Sequence, residues 1–241
     1  YPESKRPDTR LYTRHLQNGV FMPYCNIHGA GEREPWFYGE EFTNLYRKYA
    51  ELRYRLMPYI YSAAYSAHCT GLPMMRPMIL EYQDDPTVKN LDLQYMFGDC
   101  FLVAPVFDEG VTRTLYLPAG DWIDYWSKKI YTGPKWVTVE APLDTLPLFV
   151  KAGAVIPLGP GGNYVQDRPL DKLQIEVYPA AGEFAATLYD DNCAYSINAE
   201  SNSSNMSIHI DKPDTNCLIE VYNISCPETV TANSSRELSE L

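Results

Sequence analysis

His28 stands in the turn-rich stretch CNIHGAGEREPWFYGEE and is followed by Gly29 and Gly31. Glycine opens backbone conformations closed to other residues, so this loop can present an imidazole at its tip. There it could bind a ligand or move a proton, although a loop histidine serves as readily in a structural hydrogen bond. Cys25 precedes it at a metal-like spacing, but no second pair follows and no metal site is expected. Gly29-Ala30-Gly31 is too short to cradle a phosphate, and no strand-to-helix G-x-G-x-x-G occurs. The paired acids Glu40-Glu41, Asp84-Asp85 and Asp190-Asp191 invite a glycosidase reading. Neighbours in sequence usually point apart, however, and each pair sits beside turn or helix-start signals where solvated carboxylates are ordinary. Arg33 and Glu34 are placed to form an ion pair beside Trp36, whose indole suits either a core contact or the flat face of a sugar ring. Serine-hydrolase, P-loop and C-x-x-C motifs are missing, and no cofactor is expected.

Three kinds of element must position these groups. From Phe42 to Ala67 the apolar residues fall at helical spacing, with Pro58 inside the run. Proline removes a hydrogen bond and disfavours helix at Met57, which predicts a kink or two abutting helices with Pro58 in a first turn. Gly71 is the expected stop. MMRPMIL (Met74 to Leu80) then reads as a buried strand of a parallel α/β arrangement. After Asp99 the texture becomes FLVAPVF, TRTLYLP before Ala119-Gly120, WIDYW, KWVTVEA and LPLFVKAGAVIPL, short strands punctuated by Pro and Gly as in a β-sandwich. GPGG (Gly159 to Gly162) is the best linker. LQIEVYP, FAATLYDD, MSIHI and LIEVYNI beyond it alternate apolar with polar residues, as a second all-β unit would.

Composition narrows the function classes. With 20 Lys+Arg against 31 Asp+Glu the net charge is −11, and no Lys/Arg run exceeds Lys128-Lys129, so nucleic acid is not an expected partner. The most apolar region, Leu146 to Leu158, is broken by Pro147, Lys151 and Pro157, and no membrane span is expected. The first residues, YPESKRPDTR, lack the apolar core of an export signal. Sequons at Asn202, Asn205, Asn223 and Asn233, with Cys217 and Cys226, suit a secreted protein; in a Ser-rich tail they also arise by chance, which leaves the compartment open.

LYTRHLQNGVFMPYCNIHGAGEREPW (Leu11 to Trp36) resembles the late barrel segment of glycoside hydrolase family 31, the α-glucosidases and α-xylosidases. The resemblance continues through RYRLMPYIYSAAYSAHCTGLPMMRPMILEY (Arg53 to Tyr82), QYMFGDCFLVAPVF (Gln94 to Phe107), LYLPAGDWIDYW (Leu115 to Trp126) and APLDTLPLFVKAGAVIPLGP (Ala141 to Pro160), with a weaker echo in EVYPAAGEFAATLYDDN (Glu176 to Asn192). It implies an α/β plus all-β chain, the C-terminal segment of a TIM (β/α)8 barrel followed by two β-sandwich domains. Residues 1–90 would close the catalytic barrel, 91–163 form the proximal sandwich and 164–241 the distal one. The family works by retaining double displacement between two Asp residues about 5 Å apart. No Asp here stands in a matching context, so no catalytic residue is expected in this chain, and both Asp residues are expected upstream.

His28 matches the family's substrate-binding histidine, which hydrogen-bonds sugar hydroxyls at the cleaved bond. The partners so implied are an α-linked oligosaccharide and the missing N-terminal part of the enzyme, in the same precursor or as a cleaved chain. Two positions depart from the family pattern: His15 follows Arg14 where Trp is frequent, and Asn192-Cys193 stands where the turn after LYDD commonly holds Gly. The alternative is a non-catalytic carbohydrate-binding or structural module, which would have no use for the helices and strand before Asp99.

Overall fold

The computed structural model describes residues 6–29, 31–165, 167, 172–190, 192–211 and 216–222. Helix α1 (Thr9–Val20) opens on Asp8, whose carboxylate accepts the backbone N–H groups of Arg10 and Leu11 at 2.9 and 3.3 Å. Two of the donors that a helix start leaves unpaired are thereby satisfied. Tyr12, Leu16 and Val20, spaced four apart, form its buried stripe. Helices α2 (Glu40–Arg55) and α3 (Met57–Thr70) abut at Leu56 as expected, with Pro58 in the first turn of α3, where its missing N–H leaves no intrahelical bond unmade. Gly71, at φ +77°, closes α3 in the left-handed conformation that glycine adopts without strain.

The segment Met74–Leu80 is a correction. It is not one parallel strand: β1 (Met75–Pro77) pairs antiparallel with β2 (Tyr95–Phe97), and the chain then turns into the short helix α4 (Met78–Glu81). Pro77 ends the strand because it has no N–H for the ladder, and it caps α4. Arg76 is buried here and donates to Glu81 at 2.9 Å and Asp99 at 2.7 Å. The strand continues into a sheet with β3 (Phe101–Val103), β4 (Thr112–Asp124), β5 (Ile130–Glu140) and β6 (Leu148–Lys151), in the spatial order β1-β2-β3-β6-β4-β5 and antiparallel throughout. TRTLYLP and WIDYW form one strand rather than two. A β-bulge between Leu117 and Gly120 absorbs the expected turn, at the point where Pro118 offers no donor.

Both faces of this sheet are covered at its inner strands β2, β3 and β6, which explains why those strands are continuously apolar where they are buried. Phe97, Phe101, Val103, Ile123, Leu148 and Val150 pack with Leu16, Tyr49, Leu56 and Tyr59 of α1, α2 and α3 and the residue that joins the last two. Their neighbours Met96, Leu102, Trp122 and Phe149 point the other way, onto Met78, Val88, Leu115 and Leu117. Successive residues of a strand alternate sides, so a strand buried on both sides must be apolar at every position. β7 (Ala154–Leu158) leaves this sheet and pairs with β8 (Lys172–Tyr178), which pairs in parallel with β12 (Asn216–Val221). β9 (Gly182–Asp190), β10 (Cys193–Ser201) and β11 (Met206–Ile210) make a third, antiparallel sheet, and Val155, Ile175, Val177, Leu188 and Ile197 pack between the two small sheets. Strand pairing thus crosses both expected division points, β1 with β2 and β7 with β8. At the β9–β10 turn Asn192 takes φ +61°, a left-handed conformation that asparagine tolerates in place of glycine. Asp191, Asn223, Cys226 and Asn233 lie outside the described residues.

Candidate functional site

The loop that carries His28 is clamped at both ends by helices. At its start Arg53 of α2 donates to the carbonyls of Val20, Met22 and Pro23 at 2.5, 2.9 and 3.2 Å. At its end the buried Tyr12 hydroxyl of α1 donates to the carbonyl of Arg33 at 2.6 Å. Burial pushes the Tyr12 phenol up to about 12, with the Tyr46 and Tyr38 rings adding to it, so it stays a donor across the physiological range. Edge contact with Tyr38 and tilted contact with Phe42 fix its ring.

Between these clamps His28 is exposed, and its imidazole makes no hydrogen bond to another described residue. It borders a cavity of about 60 Å³ together with Tyr12, His15, Cys25, Arg33 and Tyr46. That space is well below the roughly 300 Å³ at which ligand pockets begin, so these residues alone do not enclose a sugar. His15, the departure from the family's Trp, is exposed on α1 and faces the same cavity. Cys25 and His28 are brought together there, but among the described residues no group of three His, Cys, Asp or Glu is placed to hold a metal.

The other candidates fall elsewhere. Arg33 is buried, and the Glu34 carboxylate, expected as its ion-pair partner, accepts the Arg33 backbone N–H at 3.1 Å, while the guanidinium donates to the Glu32 carbonyl at 3.1 Å. Trp36 is 65% exposed in the short 3-10 turn Pro35–Tyr38 and so is no core residue of this chain. Glu40, Glu41 and Asp84 are exposed, the first two in the opening turn of α2 where their charge complements the helix dipole. Asp85 corrects the expectation of a solvated pair. It accepts the Thr87 N–H at 2.9 Å and the Tyr116 hydroxyl at 2.7 Å, and the Tyr116 bond, before the Thr87 one, holds its carboxyl below the usual range. Asp190 is half-buried at the end of β9, far in sequence from the His28 loop.

Sequence reasoning missed Tyr12 and Arg53 as the clamps of this loop. The helical spacing of Tyr12, Leu16 and Val20 marks Tyr12 as inward-facing, but nothing local tells that its hydroxyl meets a carbonyl 21 residues away.

The comparisons with known proteins agree with these elements. A model described as the glycosyl hydrolases family 31 TIM-barrel domain matches residues 3–63, and one described as the glycosyl hydrolase family 31 C-terminal domain matches residues 71–156. Alpha-glucosidase 2 of Bacillus thermoamyloliquefaciens is 37% identical over 187 residues, 76% of this chain and 24% of that protein. An alpha-xylosidase of Saccharolobus solfataricus is 36% identical over 200 residues, 80% of this chain and 27% of that protein. Among solved structures, a GH31 dextranase variant of Flavobacterium johnsoniae complexed with isomaltotriose superposes with a TM-score of 0.85 at 34% identity, covering 91% of this chain and 30% of that one. The chain spans about a quarter of the length of the curated relatives it matches. With barrel-domain residues leading into C-terminal-domain residues in one continuous chain, it belongs to glycoside hydrolase family 31.

Proposed function

We propose that the chain is the C-terminal portion of a retaining, exo-acting α-glycosidase that hydrolyses terminal α-glucosidic or α-xylosidic bonds, with His28 binding the sugar at the cleaved bond. In this reading α1 to α3 close the catalytic barrel, the strands beyond them form a proximal and a distal β-sandwich, and the two Asp residues of the double displacement lie on the part of the enzyme that precedes this chain. One observation carries the proposal. An exposed imidazole stands at the edge of a small cavity on a loop whose two ends are tied down by Arg53 and Tyr12. A surface histidine without a task needs no such mounting, whereas a group that must meet vicinal hydroxyls does. Neutral imidazole donates at one nitrogen and accepts at the other, which suits such a pair. Against a stand-alone carbohydrate-binding module stand Tyr24, Ile27 and Trp36, apolar residues beside α1 and α2 that this chain by itself leaves exposed.

The experiment is His28→Ala in the longer enzyme that carries this chain. Hydrogen bonds that tighten as the ring flattens toward an oxocarbenium ion are lost, so kcat/KM should fall by about 2 to 4 kcal/mol in activation free energy, with the melting temperature unchanged. Unaltered kcat/KM in a folded variant sinks the assignment. A lowered melting temperature with normal kinetics makes His28 structural.

A further inference from the structure

We propose that Arg33 is the positioning residue for His28: its buried guanidinium is the support on which the Gly29 backbone rests, and through that contact it aims the imidazole at the sugar. The inference rests on the reading of His28 as a sugar-binding group and adds the residue that makes that group effective. Arg33 is 7% exposed. Its main chain is held on both sides, the N–H by the Glu34 carboxylate at 3.1 Å and the carbonyl by the Tyr12 hydroxyl at 2.6 Å. Its side chain is held by donation from Nη1 to the Glu32 carbonyl at 3.1 Å. Root and tip of the side chain are therefore both tied.

Gly29 lies directly against this guanidinium. A Cβ at Gly29 would come within 2.9 Å of Nε of Arg33, closer than a carbon side chain sits, and within a tight 3.2 Å of Nη2 and 3.3 Å of Cζ, so the guanidinium would have to shift. Gly29 also takes φ +151°, a conformation that residues with a side chain rarely adopt. The conformation favours glycine at the residue next to His28, and any side chain added there would push on the guanidinium, so the loop backbone and Arg33 occupy adjoining space. Arginine suits this place because its planar group can lie along a backbone while donating in its own plane, which the single ammonium of lysine cannot do. The same side chain borders the cavity that His28 borders, so a shift of the support is a shift of the site. Misplacement of a binding group by about 1 Å is enough to cost roughly a hundredfold in rate.

A double-mutant cycle in the longer enzyme tests the coupling: wild type, Arg33→Ala, His28→Ala and the pair, read as kcat and KM on p-nitrophenyl α-glucoside or α-xyloside, whichever the wild type cleaves. Arg33→Ala should lower kcat/KM about tenfold or more when His28 is present and less than about twofold when His28 is already Ala, because it then has no imidazole to position. An equal loss in both backgrounds means that Arg33 supports the fold at large and overturns the proposal. His28→Ala without effect overturns the sugar-binding reading itself and the positioning role with it, and that outcome is visible before any Arg33 variant is made. If Arg33→Ala does not fold, Gly29→Ala lifts the loop from the other side of the same contact. It should show the same dependence on His28, and losses that do not depend on His28 again overturn the proposal.

Discussion

Arg14 is buried in α1, yet its charge is directed at main-chain carbonyls rather than at a carboxylate. Nη2 donates to Ala141 at 2.6 Å, and Nη1 to Thr145 at 2.9 Å, Pro142 at 3.3 Å and the Gln17 side chain at 3.0 Å. Gln17 in turn donates to the Leu143 carbonyl at 2.7 Å, and the Tyr49 hydroxyl, its ionisation suppressed by burial, accepts the Leu146 N–H at 2.9 Å. Three buried side chains from two helices thus satisfy the irregular backbone of residues 141–146. A loop against a core is stable only when its polar groups find such partners. Arg14→Met keeps the volume and removes the donors, so it should cost about 2 to 4 kcal/mol, seen as a lower urea midpoint at unchanged slope. A loss below about 1 kcal/mol would show that Gln17 and Tyr49 hold the loop without it.

At the scale of elements, the turn between β4 and β5 joins the large sheet to the small one. Lys128, at φ +60°, projects its Nζ to 4.0 Å from the ring centroid of Tyr222, 4.4 Å from Tyr125 and 5.1 Å from Tyr178, and donates to the Tyr178 hydroxyl at 2.8 Å. That hydroxyl donates to Glu176 of β8 at 2.9 Å. Burial raises the Glu176 carboxyl above its ordinary value, and Lys128 is the largest influence opposing the rise. Lys128→Met removes the cation–π contacts and that opposition together, at a cost of about 3 kcal/mol near neutral pH. The sign with pH follows from the direction of the shift. Without Lys128 the folded-state pKa of Glu176 climbs further above the unfolded value of about 4.3, so stability is lost as pH rises from that value through the folded one. The deficit of the variant relative to wild type should therefore be largest at neutral pH and shrink toward pH 4, a trend that paired urea titrations across this range read directly. A deficit independent of pH would place the whole loss in packing.

For the whole molecule, the six-stranded sheet is the organising layer, with α1 to α3 on one face and α4 with its neighbouring turn on the other. The loop with His28 projects from the helical side, and Tyr24, Ile27, Trp36 and Phe37 around it expose apolar surface. Among the described residues no helix is long and apolar enough to cross a membrane. With the proposed nucleophile and acid/base outside this chain, the purified chain alone should turn over neither p-nitrophenyl α-glucoside nor the α-xyloside, since a positioned imidazole cannot replace a covalent nucleophile. Turnover that survives removal of any longer co-purifying chain would defeat that expectation.

Periodicity and punctuation in the sequence were enough to specify α2, α3 and their join, because Pro58 and Gly71 act on the backbone within one turn and need no distant partner. The alternating strands after the GPGG linker were legible for the same local reason, and the family was legible from ordered motifs spread along most of the chain. His28 was placed at a loop tip by the turn-rich stretch around it and the two glycines that follow it, and it is exposed there. Tertiary structure decided the rest. Met74–Leu80 is apolar enough for a strand or a short helix, and only the antiparallel partner Tyr95–Phe97 and the ion pairs of Arg76 divide it into β1 and α4. Ala119-Gly120 has the composition of a turn, and only the long pairing of β4 with β5 makes it a bulge. Arg33 has Glu34 beside it in sequence, yet its guanidinium donates to the Glu32 carbonyl and lies beside Gly29, while Tyr12 of α1 holds its carbonyl from 21 residues away. Hydrophobic patterning records which residues leave water. It carries no record of which partner, 20 to 130 residues away, will meet a buried polar group, and that is settled only when the elements pack.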